Sequence, residues 1–181
     1  IPNAVTKIGD GVFHGCTNLT SIEIPNSVTK IDQFYYRRLL IHTFTSINAI
    51  KIPNSVTAID DEAFSGCIRL TSINIPNSVT MIGTGAFKGC FGLTSIVIPT
   101  ALSQVGLDTI RGCTNLPSID IPNSVTQIMY HAFYGCTNPT SIEIPNPVKK
   151  IGEGACHGCM KLTSIEIPHS ETILDKGTVH I

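Results

Sequence analysis

The chain has 181 residues, 42% of them hydrophobic and 14% charged, enough apolar material for one sizeable core and too much for a disordered segment. Twelve basic and 13 acidic side chains leave a net charge of −1 without a run of like charge. Arg37-Arg38 is too short and isolated to serve as the basic face that nucleic acid requires. No apolar stretch approaches the ~20 residues that cross a bilayer, and no charged-then-apolar leader stands before Ile1.

An Ile-Pro pair opens at Ile1, Ile24, Ile52, Ile75, Ile98, Ile121, Ile144 and Ile167, every 23 residues except for one interval of 28. A fixed period of this length predicts a solenoid in which each coil rests only on its neighbours. The expected organisation is a single solenoid over residues 1–181. Regular repeats occupy 1–23 and 52–166, a long degenerate repeat 24–51, and a decayed end 167–181. The chain starts in the middle of a unit, without an initiator Met, so it is expected to be a piece of a larger protein.

The first unit, 1–23, is regular and carries the first repeat cysteine, Cys16. The second is five residues too long and lacks Gly-Cys. Its extra residues fall around Asp32–Arg38 and are expected to bulge away from the strand. Tyr35 and Tyr36 beside two arginines have the composition of a binding hot spot, or of a solvated bulge with one tyrosine packed down. The third unit, IPNSVTAIDDEAFSGCIRLTSIN, is the cleanest copy.

Where the third unit runs into the fourth, Leu70, Ile73 and Ile75 face inward from a β-branched strand that Pro76 must end, and Thr71, Ser72 and Asn74 face out. Pro76-Asn77-Ser78 is a turn, and Val79–Ile82 a second short extended piece. Asp60-Asp61-Glu62 followed by Gly66 predicts one short turn of helix, with acids at its start and a left-handed cap at its end. Ala63 and Phe64 point inward from it. Seven such strands are expected. Thr109 and Ile110 replace Ala and Phe, and Pro139 replaces Leu, in coils that should still stack. Glu171 stands where Val belongs, which predicts a frayed end or a crude cap.

The unit IPNSVTxIxxxAFxGCxxLTSIx resembles the Treponema pallidum-type, or BspA-like, leucine-rich repeat over nearly the whole chain. The resemblance implies an α/β solenoid, a right-handed superhelix with a parallel concave sheet and short convex helical turns. It also implies a cell-surface or secreted location and action by adhesion or protein binding.

Five cysteines (Cys16, Cys67, Cys90, Cys113 and Cys136) mark one inward repeat position, so they read as small buried hydrophobes. Cys156-His157-Gly158-Cys159 imitates a redox pair, but its members are the core-Phe position and the ladder position. A zinc site would need a second ligand pair. The histidines share no cluster, and no nucleophile elbow or phosphate loop is present. The chain therefore reads as a non-enzyme without a cofactor or metal.

Binding is expected on the outward strand rows. One row reads Glu23, Lys51, Asn74, Val97, Asp120, Glu143, Glu166, and the other Thr20, Asn48, Thr71, Thr94, Pro117, Thr140, Thr163. Like charges on neighbouring strands at Asp120, Glu143 and Glu166 favour a cation or a basic partner. The alternative is that Glu belongs to the duplicated consensus and is simply solvated. The expected role is a protein-binding or adhesion module for extracellular matrix or another cell surface. The runner-up is a structural spacer. Exposed apolar ends make end-to-end self-association a further expectation.

Overall fold

The computed structural model describes residues 1–9, 19–32, 46–167 and 172–178. In chain order the strands are β1 (Lys7–Ile8), β2 (Ser21–Glu23), β3 (Lys30–Ile31), β4 (Ala49–Lys51), β5 (Ala58–Ile59), β6 (Ser72–Asn74) and β7 (Met81–Ile82). They continue as β8 (Ser95–Val97), β9 (Gln104–Val105), β10 (Gln127–Ile128), β11 (Ser141–Glu143), β12 (Lys150–Ile151), β13 (Ser164–Glu166) and β14 (Ile173–Leu174).

Each strand pairs in parallel with its repeat equivalent, so Ile50 lies opposite Ile73 and Ile73 opposite Ile96 on one side of the coil. Ile31 lies opposite Ile59 on another. The result is a parallel-sheet solenoid of about six turns, as the period requires.

Alternation fixes what is dry. In β6 the flanking Ser72 and Asn74 are exposed while Ile73 is buried, and the same pattern recurs in β2, β4, β8 and β11. Repeat-equivalent residues fill the core: Val28, Val56, Val79, Val125 and Val148 are all buried, as are Phe64, Phe87 and Phe133. The rings of Phe64 and Phe87 stack with centroids 5.5 Å apart.

The third side of the coil corrects the expectation of helical turns: among the described residues there is no helix. The backbone of 60–67 makes successive three-residue turns, with Ser65 N–H donating to Glu62 O and Cys67 N–H to Phe64 O. Its remaining donors reach across to the next coil, Glu62 to Thr84 O, Phe64 to Ala86 O and Gly66 to Lys88 O, at 2.7–2.8 Å. A helix would spend those groups on itself. Tight turns bonded between coils also explain why position 62 of the repeat takes the left-handed region in Glu62, Asp108 and His131 (φ 53–55°), and why Gly66 stands at φ 73°. The glycine reading thus holds, but as the corner of a turn ladder.

One coil, 98–120, departs from the rest. Thr94 and Thr163 donate their backbone N–H to the preceding coil's Thr71 O and Thr140 O, but Pro117 has no N–H to give. Segment 118–120 accordingly pairs with neither neighbour, so the fifth of the seven expected strands is absent. Among the described residues, three-residue strands form a group of four (β2, β4, β6, β8) and a pair (β11, β13). The two-residue strands also divide, β1-β3-β5-β7 from β9-β10-β12-β14.

Around this coil Ile110 replaces a Phe. A small void of about 10 Å³ lies among residues including Phe87, Leu102 and Ile110. The turn side alone runs through unbroken, with Phe87 N–H bonded to Thr109 O and Ile110 N–H to Ala132 O. Between the coils 75–97 and 98–120 stacking therefore holds on the turn side and fails on both sheet sides, while β9 still pairs with β10 of the following coil. Pro139 is buried in the Leu slot. At the far end, β14 still pairs with β12 and Thr178 occupies the Ala position, while Glu171 lies outside the described residues.

Candidate binding groove

A groove follows the bend where each three-residue strand gives way to Ile-Pro-Asn. Pro ends the strand, so the chain turns sharply. The outward strand residue becomes one wall, the Ile-Pro pair the floor and the Asn the other wall. Its C-terminal part, about 710 Å³, is walled by Asp120, Glu143 and Glu166 facing Asn123 and Asn146. Its N-terminal part, about 670 Å³, has Glu23, Lys51 and Asn74 facing Asn3, Asn26 and Asn54. A hollow of about 160 Å³ beside Val97 and Asp120 lies between them.

The two parts differ in charge. Glu23 and Lys51 are opposite each other in register and their side chains meet at 2.8 Å. The hydrogen bond from Lys51, and then its charge, holds the Glu23 carboxyl below its usual range; the same bond raises Lys51. At the other end Glu143 is in register with Glu166, and Asp120 shares their groove without sheet pairing to either. Among the described residues no basic side chain ion-pairs with these three acids. Also among the described residues, no three His, Cys, Asp or Glu side chains come close enough to hold a metal ion, so the acids form a row of separated charges.

The threonine row is exposed but partly occupied. Thr71, Thr94 and Thr163 hydroxyls donate to the backbone O of Asn48, Thr71 and Thr140 in the preceding coil, at 3.0–3.3 Å. They stitch the sheet together and leave only acceptor capacity for a partner. Tyr35 and Tyr36 lie outside the described residues, as does Cys16.

The repeat cysteines are buried, and their thiols have a use that the sequence does not advertise. Cys90, Cys113, Cys136 and Cys159 each donate to the carbonyl of the core aromatic position in the preceding coil: Phe64, Phe87, Ile110 and Phe133, at 3.1–3.4 Å. Hydrogen bonding with Cys67 and burial push the Cys90 thiol well up; burial does the same for Cys113 and Cys136. In the Cys156-Cys159 pair, burial raises the two thiols to about 12 and about 11. Both stay protonated at neutral pH, the opposite of an activated redox cysteine.

The expectation that histidines form no cluster is corrected on the turn side. His131 and His157 flank Tyr134, with ring centroids at 4.6 and 5.1 Å, and the Arg111 guanidinium lies 4.4 Å over the same ring. Tyr130 stacks on His131 at 3.7 Å, and Asp108 draws in Lys88 and Arg111. Arg111, Tyr134 and His157 share one repeat position, so the 23-residue spacing stacks them on consecutive coils.

Stacked coils held by parallel strands, with Leu, Ile and Cys ladders inside and rows of side chains outside, define a leucine-rich-repeat solenoid, a scaffold that generally serves protein interaction. The chain belongs to the BspA-type leucine-rich repeat family, whose profile matches in six copies over residues 1–113, 41–136 and 103–179. Among curated proteins none matches.

Among solved structures, a leucine-rich repeat protein of Bacteroides ovatus is 28% identical with a TM-score of 0.82, covering 96% of this chain and 50% of its own. The T. pallidum leucine-rich repeat protein is 29% identical with a TM-score of 0.75, covering 87% and 72%. A leucine-rich cell surface protein of Faecalibacterium prausnitzii has the same fold at 24% identity and a TM-score of 0.53, covering 94% and 71%. The chain thus spans about half the length of the Bacteroides protein it resembles. Among the described residues no helix is long and apolar enough to cross a membrane.

Proposed function

We propose that this chain is a non-catalytic protein-binding or adhesion module, a single solenoid over residues 1–181 within a larger surface or secreted protein. The outward rows and their groove receive the partner, on the sheet that the family resemblance makes concave. The observation that carries the reading is the contrast within one groove. Glu23 has its own cation in Lys51, whereas Asp120, Glu143 and Glu166 have none among the described residues. A basic, extended segment of a matrix or cell-surface protein lying along the solenoid would supply to the second part what Lys51 supplies to the first. Lys51, Asn74, Thr71, Thr94, Thr140 and Thr163 would contribute the polar remainder of the surface; Tyr35 and Tyr36, contacts proposed from the sequence, lie outside the described residues. The surface location is supported by the cell surface description of the Faecalibacterium relative.

The test uses a fluorescent oligolysine peptide as probe, alongside immobilised extracellular-matrix proteins. The triple reversal Asp120→Lys, Glu143→Lys, Glu166→Lys should weaken binding at least about tenfold at low salt, while Glu23→Lys, which removes an acid already paired, should change it little. Equal affinity of the triple variant and the parent overturns the reading and favours a structural spacer, which tolerates replacement of every outward residue.

A further inference from the structure

The boundary between the coil 75–97 and the coil 98–120 keeps backbone-to-backbone hydrogen bonds on one side, where every other described boundary of full coils has them on at least two. We infer that it is a hinge. The solenoid is two rigid blocks that pivot about the turn ladder, and the inference stands whether or not the groove binds a basic partner.

Four observations converge on this boundary. On the two-residue-strand side, Thr80, Thr126 and Lys149 each donate a backbone N–H to the coil before, and so do Gly83, Met129 and Gly152. Ser103 and Gly106, at the same repeat positions, donate to nothing in the preceding coil. On the three-residue-strand side, Pro117 removes the donor that would reach Thr94.

Buried hydroxyls report the same gap. Thr178 donates to Asp175 O at 2.6 Å and lies 3.3 Å from Ile151 O and Gly152 O of the preceding coil, but Thr109, its equivalent, is buried with no partner. Ser27, Ser55 and Ser78 bond the valine carbonyl of the preceding coil, whereas Ala101 stands at that position in the coil 98–120 and has no hydroxyl to give. Finally, the void beside Ile110 sits at this level of the stack.

Against these gaps the turn side is intact. Gly85, Phe87 and Gly89 donate to Leu107, Thr109 and Arg111 at 2.8–2.9 Å, and Lys88 approaches Asp108 at 3.6 Å. Away from that side, Thr100 donates its backbone N–H and hydroxyl to Asn77 Oδ1 at 3.1 and 3.2 Å, a contact through one side chain. Three backbone hydrogen bonds in line along one edge, with both sheets unpaired at this level, describe a pivot axis. Rocking about it changes the angle between the groove half that contains Lys51 and the half that contains Glu143 without breaking either block.

Hydrogen exchange on the intact chain tests this with internal controls. Amides of Ser103 and Gly106 should exchange at least about tenfold faster than those of their repeat equivalents Thr80 and Gly83. Spin labels on exposed sheet positions measure the motion directly: Ser95→Cys with Ser141→Cys spans the boundary, and Ala49→Cys with Ser95→Cys spans two coils within one block. The first pair should give the broader distance distribution, and Pro117→Thr, which returns the missing donor, should narrow it. Equal protection of the matched amides overturns the hinge, as do equal distribution widths for the two pairs or a width indifferent to Pro117→Thr.

Discussion

Buried thiols show how one side chain serves the stack. A sulfur at the Cys113 position is small enough for the inward slot and carries one donor, which it gives to Phe87 O at 3.3 Å. The six described cysteines should therefore resist a thiol reagent at pH 8 in the native chain and react only as denaturant unfolds it. Native-state labelling of Cys156 or Cys159 would contradict their raised values of about 12 and 11.

His131 makes the complementary case at the surface. Burial chiefly, and then Arg111, lowers it from the ordinary 6.5, against Asp108 and Glu153, which raise it; His157 lowers it further, and Tyr130 and Tyr134 pack on its ring. Its folded form binds a proton less readily than the unfolded chain. Stability is therefore intact above pH 6.5 and declines as the pH falls from there through the lowered value. In the variant His131→Asn, which keeps a residue tolerant of the left-handed backbone, urea midpoints measured between pH 7 and pH 5 should lose that decline.

At the scale of the coil, the same residue type has opposite value in two places. Thr178 is buried and donates its hydroxyl to Asp175 O at 2.6 Å, with Ile151 O and Gly152 O at 3.3 Å, while Thr109 is buried and bonded to none. Thr178→Ala should cost about 1 kcal/mol. Thr109→Ala, which restores the repeat's own residue and removes an unsatisfied hydroxyl, should stabilise by a similar amount in urea unfolding. Both threonines were legible as substitutions in the repeat, but whether a carbonyl waits within reach depends on how closely the preceding coil approaches. The same limit explains the lost helix. Acids before Ala-Phe and a Gly after them are compatible with a helical turn or a bonded turn ladder, and the choice turns on acceptors 22 residues away, Thr84 O for Glu62 N–H among them.

Across the whole molecule, charge is arranged by coil. On the N-terminal coils acids and bases alternate, with Lys7 and Lys30 flanking Asp32 at 2.5 and 3.5 Å and Lys30 reaching Asp60 at 2.8 Å. Burial alone would raise Asp32, but the bonds and charges of the two lysines outweigh it and lower the carboxyl. The C-terminal part of the groove has no such compensation among the described residues. Binding of oligolysine there should accordingly fall steeply between low and physiological salt, where the screening length shrinks to ~8 Å. A salt-independent affinity would place the probe elsewhere on the chain.

The amino-acid sequence alone determined which residues stack on which, because a 23-residue period brings each side chain against its own repeat equivalent and leaves the alternation within β6 to separate dry from wet. Its outward rows, including Glu143 beside Glu166, follow from the same geometry. Only the tertiary structure decided that Lys51 neutralises Glu23, that the groove closes into two unlike parts, and that the coil at 98–120 meets the coil before it without sheet pairing. Those outcomes rest on hydrogen bonds and ion pairs between coils, whose strength changes over tenths of an ångström, a distance that a repeat spacing does not encode.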